Sequence, residues 1–183
     1  MPQPATASSS ALAAPPFGIG REHLDPPANR WARVTMTFVF IGGPILAALL
    51  GLLGGGDETP VTVRTPAASL TVEAPQILRS GNWFETLVTV APAADVANLT
   101  ISIDQPLWRG MSIDTAVPDA EKAEALDGTF TYSFGPVKRG QAFVFKLDGQ
   151  IQPRGMRRLA GTVAARDGDR LLAQAPLAIQ VLP

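Results

Sequence analysis

The inventory of side chains that could perform catalysis is short in this sequence. Its 183 residues include no Cys and a single His, His23. These counts exclude disulfides, thiol catalysis, Cys-based zinc sites, iron–sulfur ligation and multi-His metal sites. His23 stands in a Pro-rich stretch, where nothing nearby would hold a catalytic geometry. We therefore expect no cofactor, no metal site and no catalytic residue.

Carboxylates and amines are the remaining groups with acid or base chemistry. Four acidic residues, Asp119, Glu121, Glu124 and Asp127, are clustered in one stretch of the chain. Paired carboxylates can bind calcium or cleave glycosidic bonds, but a solvated face is the simpler interpretation here. A Lys base next to a Ser nucleophile, using Lys122, Lys138 or Lys146, has no motif behind it. We predict that the protein is not an enzyme.

Binding residues are better represented than catalytic ones. Leu107, Trp108 and Arg109 form an apolar, aromatic and basic group between two strand-like segments, a composition found in interface anchors. This pattern predicts a partner-binding loop, with Trp108 as its main contact. The alternative is that Trp108 closes one end of the hydrophobic core.

Basic residues form a second candidate surface. Arg154, Arg157 and Arg158 lie close together in sequence and make a basic patch that could meet anionic lipid or an acidic partner. A solvated face is the alternative. The whole chain has a formal net charge of -1, which argues against a nucleic-acid partner.

Small residues recur every fourth position in an apolar stretch, at Gly43, Ala47, Gly51 and Gly55. On a helix this spacing places them on one face, where the backbone of another helix can approach closely. The pattern predicts helix packing against a membrane partner, although Gly and Ala are also common in membrane spans. Pro44 follows two glycines and should loosen or kink the helix.

These residues require a membrane helix to position them. Residues 34–56 contain no charged residue and would span about 34 Å as a helix, enough to cross a bilayer. Arg30 and Arg33 precede the segment, acidic residues follow it, and Trp31 suits the membrane interface. We predict a disordered cytoplasmic tail (1–30), a transmembrane helix (31–56), a linker (57–68) and an outer domain (69–183). A buried core helix and a cleaved signal sequence are the alternatives.

The outer domain has the alternation of β-strands. Bulky residues occupy every second position in 99–103, 130–134 and 143–147, and further strands are expected at 70–74, 83–91, 112–116, 158–165 and 171–182. Turn residues favour hairpins at 166–169 and 134–140. The segment 118–126 is helix-like, and the Pro-containing start at 59–69 is either a spacer or an edge. About seven or eight strands predict an all-β, immunoglobulin-like antiparallel β-sandwich.

The order of these segments resembles a known group of modules. A first strand at 70–72, a long strand at 83–90, the strand 99–103 followed by Gln105-Pro106-Leu107, and 132–135 followed by Gly140-Gln141 resemble the bacterial immunoglobulin-like conserved repeats and CARDB-like modules of cell-surface proteins. The resemblance covers about two thirds of the chain. It implies a binding or spacer module and brings no catalytic residues with it.

Together these observations predict a single-pass protein of a bacterial cytoplasmic (inner) membrane, with its C-terminal domain in the periplasm or outside the cell. We expect a non-catalytic accessory or scaffold subunit of a membrane protein complex, in contact with the bilayer and with partner subunits. The alternative is a membrane-displayed binding module for an envelope polymer, carbohydrate or peptide.

Overall fold

A computed structural model of the chain describes residue 17 and residues 29–53, 59–153 and 157–183. Most of the predicted tail and Gly55 lie outside these residues. The described chain begins its regular structure with a helical segment made of α1 (Arg30–Thr37), a π-helical turn (Phe38–Gly42) and α2 (Gly43–Leu49). The π turn ends two residues before Pro44, which has no backbone N–H to donate, so the predicted disturbance of the helix is present in this region.

The helix ends earlier than residue 56, where its end was predicted. Gly51 has a φ of 71°, its N–H donates to Ala48 O at 3.0 Å, and the N–H of Leu52 donates to Ala47 O at 2.9 Å. These are the two hydrogen bonds of a Schellman motif, which closes a helix at a residue in the left-handed region. Gly51 therefore terminates the helix and does not belong to its face.

The outer domain is built from strands. They are β1 (Val61–Arg64), β2 (Ala68–Glu73), β3 (Ile77–Arg79), β4 (Trp83–Pro92), β5 (Leu99–Asp104), β6 (Met111–Val117), β7 (Lys122–Leu126), β8 (Thr129–Ser133), β9 (Phe143–Ile151), β10 (Arg157–Asp167) and β11 (Arg170–Leu182). A 3₁₀ turn at Gln105–Trp108 follows β5. The strands form a five-stranded sheet in the order β1-β2-β4-β9-β6 and a six-stranded sheet in the order β3-β11-β10-β5-β8-β7.

The predicted sandwich is confirmed, with more strands than expected. All eight segments predicted as strands form strands, and β1, β3 and β7 are additional. Neighbouring strands are antiparallel, except that β3 runs parallel to β11. The mostly antiparallel pairing and the two sheets around one core are the architecture of an immunoglobulin-like sandwich.

Alternation explains where the core lies. Leu99, Ile101 and Ile103 are fully buried on β5, as the sequence pattern predicted. Phe145 and Leu147 of β9 are equally buried in the opposite sheet. Burying each such side chain contributes about 1.5–3 kcal/mol, so the facing rows of the two sheets account for much of the stability. Aromatic contacts extend this core, with Phe134 lying 4.7 Å from Phe145 between ring centroids.

The helix predicted at 118–126 is wrong. Lys122–Leu126 forms β7, an exposed edge strand that pairs with β8. Ala, Glu, Lys and Leu all favour helices, but Asp127 and Gly128 both have positive φ and turn the chain back into a two-residue hairpin. Pairing with β8 therefore overrides the helical propensity of this short segment.

The structure decides between the two interpretations of the Pro-containing start. Val61–Arg64 pairs with β2 at the edge of the five-stranded sheet, so it is an edge strand rather than a spacer. The side chain of Thr65 joins this corner to the other sheet, because its hydroxyl donates to Leu172 O at 2.7 Å and accepts from the N–H of Ala68 at 3.1 Å.

Of the two predicted hairpins, one is confirmed. Gly168, with a φ of 59°, turns β10 into β11. The segment 134–140 instead connects β8 in the six-stranded sheet to β9 in the five-stranded sheet, so it is not a hairpin. Pro176 lies on β11 where β3 no longer pairs, because β3 pairs only with Gln180–Leu182. Proline is tolerated at such an edge, because no neighbouring strand needs its missing N–H.

Candidate binding faces of the sandwich

The predicted partner-binding loop is largely internal. Leu107 is fully buried and Trp108 is 6% exposed, with its ring stacked on Phe84 at 6.0 Å between centroids. Neither side chain offers a surface to a partner, so this prediction is corrected for both residues. The 3₁₀ turn directs them into the core, and the alternative that Trp108 closes one end of it is the one that the structure supports. Arg109 alone is exposed.

The predicted basic patch is divided. Arg157 is half-buried and donates a hydrogen bond from Nη2 to Gly110 O at 3.1 Å, whereas the next residue, Arg158, is exposed. Consecutive residues of a strand point to opposite sides of the sheet, so these two arginines cannot form one surface. Arg154 lies outside the described residues.

The helical segment is uncovered along its length in the described chain. None of its residues is buried, and nothing lies within 4 Å of the position that a Cβ would take at Gly43. Gly43 is therefore open to a partner, Ala47 is partly buried, and Gly51 closes the helix. Trp31 is exposed, as are Arg30 and Arg33 at the N-terminal end.

The carboxylates singled out from the sequence lie on and around the β7 hairpin. All four are exposed, and Glu124 forms an ion pair with Lys122 at 2.8 Å. Within the described residues, no group of three or more His, Asp or Glu side chains is placed to bind a metal.

Two other carboxylates hold loops in place. Asp167 accepts hydrogen bonds from the N–H groups of Asn98 and Ala97 at 3.1 and 3.0 Å, and the first of these contributes most to lowering its pKa below the usual range. Asp95 accepts from the N–H of Arg139 at 2.9 Å and from Lys138 Nζ at 3.1 Å, which lowers its pKa in the same way. Lys138 and Arg139 therefore belong to this loop contact.

The outer surface of the five-stranded sheet is the first candidate binding face, and we call it the apolar face. Trp83, Val117 and Val144 point away from the core and are 67%, 51% and 47% exposed. Leu87 lies beside them, because it pairs across the sheet with Lys146, which in turn pairs with Val117. Exposed aromatic and aliphatic side chains gathered on one sheet are typical of protein contact surfaces.

A small charged cluster divides the apolar face. Lys146 Nζ lies 2.6 Å from Glu85 and 3.4 Å from Asp148. The hydrogen bond to Glu85 is the main cause that raises the pKa of Lys146. Lys146 pairs with both carboxylates, so each of the three charged side chains has a partner on this face.

The outer surface of the six-stranded sheet has the opposite chemistry. It contains a cleft of about 390 Å³, which we call the polar cleft. Its floor is a row of paired residues from four adjacent strands, namely Thr131, Ser102, Ala164 and Gln174. Asp104 and Arg166 stand on either side of this row. Hydroxyl, carboxylate, guanidinium and amide groups thus converge on one concave site.

Two local arrangements position the charged residues of the cleft. Asp104 Oδ2 accepts hydrogen bonds at 2.8 Å from both the N–H and the hydroxyl of Thr162, so its carboxylate takes the place of a backbone partner where β5 leaves the sheet. Arg166 Nη1 donates to Asp169 O at 3.1 Å, which holds the guanidinium near the turn between β10 and β11. Gly161 leaves room for Asp104, because a Cβ at residue 161 would lie only 2.8 Å from Asp104 Cβ.

Sequence reasoning missed both faces. Their residues are outward positions of strands, where Thr and Val occur in any sheet because they suit β-structure. The signal in the sequence that could have revealed the cleft is the set of polar residues that alternate with the buried ones. On β5 these residues are Thr100, Ser102 and Asp104. Nothing in the sequence showed that β8 and β10 would lie on either side of that strand.

Comparison with known proteins gives similarity of fold at low identity. No family model matches the chain, and no curated protein matches it. Among solved structures, CaCohA2 from Clostridium acetobutylicum is 15% identical with a TM-score of 0.45, covering 62% of this chain and 89% of its own. A non-cellulosomal cohesin from Archaeoglobus fulgidus is 8% identical with a TM-score of 0.40, covering 70% and 93%.

A CARDB domain from Pyrococcus furiosus, solved in complex with di-metal ions, is also similar to this chain. It is 15% identical with a TM-score of 0.35, covering 66% of this chain and 98% of its own. The expected resemblance to CARDB-like modules therefore has a structural counterpart. At these scores the similarities carry no information about the ligand or partner of this protein.

Proposed function

We propose that this chain is a single-pass membrane protein whose immunoglobulin-like domain acts, without catalysis, as an accessory or scaffold subunit of a membrane protein complex. The observation that supports it best is the uncovered apolar helix. Arg30–Leu49 has 20 residues, about 30 Å as a helix, and no part of its most apolar window is buried. The sandwich closes a core of its own, so the apolar surface of the helix requires a bilayer or another protein.

The charges around the helix support one orientation. Arg30 and Arg33 lie at its N-terminal end, and Asp57 and Glu58 follow it in the sequence. Basic residues are retained on the cytoplasmic side, which supports a cytoplasmic N-terminus and a sandwich on the other side of the membrane. Single cysteines at Ser9 and Gln141 in this Cys-free chain would test the orientation. A membrane-impermeant maleimide should label only Gln141→Cys in intact cells, and labelling of Ser9→Cys alone would contradict the proposal.

Two surfaces support the role as a subunit. The helix presents Gly43 without any covering side chain, and Ala47 follows about one turn later, which permits close approach of a partner helix. The apolar face adds Trp83, Val117 and Val144 on the sandwich. We expect the partner to be a membrane protein with one small-residue helix face and an extracytoplasmic surface that is apolar at its centre.

The test is purification of the tagged full-length chain from its native membrane in a gentle detergent, followed by mass spectrometry. A fixed set of membrane subunits supports the proposal, and recovery of the chain alone contradicts it. Ala47→Leu and Ala48→Leu form a matched pair, because the same side chain is added about 100° apart on the helix. Recovery of the partner should fall with Ala47→Leu and be retained with Ala48→Leu.

A second candidate function is a membrane-displayed binding module for an envelope polymer, carbohydrate or peptide. The polar cleft favours it, because a concave site with convergent polar groups is the usual form of a ligand site. This candidate function requires the membrane helix but no partner subunit. Recovery of the chain without other subunits would therefore not contradict it.

A further inference from the structure

We infer that the polar cleft binds a neutral saccharide through its side chains. The inference names the ligand class of the second candidate function and rests on that function; it does not depend on the role as a complex subunit. Four properties of the cleft support it, and they are its place in the sheet, its hydrogen-bonding side chains, its charge and its size.

The centre of the cleft lies on β8, β5 and β10, which are paired on both sides, whereas β11 at its margin has a free edge near Pro176. Its floor is made by β8, β5, β10 and β11, which are adjacent members of the six-stranded sheet. An extended peptide binds to sheets mainly by adding a strand at a free edge, where main-chain groups are available. That mode is not available in the middle of a sheet, so recognition at the centre of the cleft must come from side chains.

The side chains of the cleft suit a ligand with many hydroxyl groups. Thr131, Ser102 and Gln174 offer both donors and acceptors, Asp104 offers acceptors, and Arg166 offers donors. A saccharide presents hydroxyl groups that donate and accept at once, and it can use all of these. Ala164 is the apolar side chain of the floor, which leaves little for the apolar side chains of a peptide.

The charge of the cleft disfavours anions and separates the saccharide from phosphate. Asp104 and Asp169 line it together with one cation, Arg166, so the formal charge of these three residues is 1 − 2 = −1. A carboxylate that faces an anion is repelled by it, and Arg166 already donates to Asp169 O. The volume of about 390 Å³ lies near the lower end of ligand sites, which suits one or two sugar rings.

The experiment is calorimetric titration of the full-length protein in nanodiscs that contain no glycolipid and no sugar-headed detergent. The probes are cellobiose, maltose and N,N′-diacetylchitobiose, with inorganic phosphate and tetra-alanine as comparisons. The cleft variant combines Thr131→Ala with Arg166→Gln, which leaves the structural carboxylate Asp104 in place. The matched control is Thr89→Ala, an outward threonine on the apolar face. Circular dichroism would verify that both variants keep their strand content.

We expect a disaccharide to bind the wild type and the control, and to bind the cleft variant about tenfold or more weakly, since it loses several hydrogen bonds. Equal affinity for the cleft variant and the wild type overturns the inference. If phosphate or tetra-alanine binds the wild type but not the cleft variant, the domain is a binding module and its ligand is not a saccharide. No binding of any probe up to about 10 mM rejects the saccharide and counts against the second candidate function as well.

Discussion

The two outer faces of the sandwich differ more than the inner faces that they cover. Inside, both sheets present aliphatic and aromatic rows such as Ile101 and Phe145, because each must exclude water from the same core. Outside, the five-stranded sheet exposes Trp83 and Val144, whereas the six-stranded sheet exposes hydroxyl groups around Asp104. The core does not select the outward residues, and the contrast between them is the one that we expect if the two faces bind different molecules.

The charged side chains of the two faces also differ in their binding partners within the domain. On the apolar face, Lys146, Glu85 and Asp148 bind one another at the surface. In the polar cleft, Asp104 binds the backbone N–H of Thr162 and thereby completes the sheet. We therefore expect substitutions in the cleft to affect folding more than substitutions on the apolar face.

The largest effect should separate two tryptophans that lie close to each other in the fold. Trp108→Ala removes a buried ring from the end of the core and should lower the free energy of unfolding by about 3–5 kcal/mol. Trp83→Ala, on the apolar face, should change it by less than about 0.5 kcal/mol. Urea unfolding of the full-length protein in detergent micelles, followed by circular dichroism, measures both. Comparable losses would mean that the apolar face is part of the folding core.

A second test compares one glycine in each sheet. A Cβ at Gly149 would collide with the backbone oxygen of Ser112 and approach Phe84 Cζ at 2.9 Å, whereas a Cβ at Gly161 would meet the side chains of Asp104 and Leu107. Side chains can move more easily than a paired strand. Gly149→Ala should therefore lower stability by about 3 kcal/mol and Gly161→Ala by about 1–2 kcal/mol in the same urea assay. The reverse order would show that the six-stranded sheet is the more tightly packed.

Much of the interior could be predicted from the sequence, because burial acts on every second residue of a strand. The rows on β5 and β9 were found in this way. The predictions that were wrong depend on tertiary contacts, which the alternation of residues along a strand does not show. Lys122–Leu126 favours a helix locally and is a strand because β8 pairs with it. Trp108 looks like a contact residue until the 3₁₀ turn directs it inward. The polar cleft could not be predicted, because it requires knowing which four strands are neighbours.

The third prediction concerns the carboxylate of the polar cleft. Asp104→Ala leaves the N–H and the hydroxyl of Thr162 without their acceptor at a partly buried position, and should cost about 2 kcal/mol of stability. Asp114→Ala, at an exposed position on the edge strand β6, is the control and should be within about 0.5 kcal/mol of the wild type. If the two variants are equally stable, Asp104 is available for ligand alone and has no structural role.

The fourth prediction concerns the stability of the fold at acidic pH. The pKa of Asp167 is lowered in the folded protein, so its ionised form stabilises the fold above its unfolded value of about 4. This contribution is lost as the pH falls from about 4 through the lower folded value. Asp167→Asn should reduce the loss of stability between about pH 5 and pH 2, relative to the wild type. Thermal unfolding at a series of pH values measures this. An unchanged acid profile for Asp167→Asn would contradict the assignment.

The smallest effect on stability is expected on the apolar face. Lys146→Met removes the centre of an exposed ion cluster, and surface ion pairs contribute little, so the free energy of unfolding should stay close to that of the wild type. The same change removes the cation from a surface that we expect a partner to cover, and leaves Glu85 and Asp148 without it. Recovery of partner subunits should therefore fall although the fold is intact. If Lys146→Met lowers the stability but not the recovery of partner subunits, the cluster stabilises the sheet and does not serve binding. The two faces would then differ in their role in folding and not in what they bind.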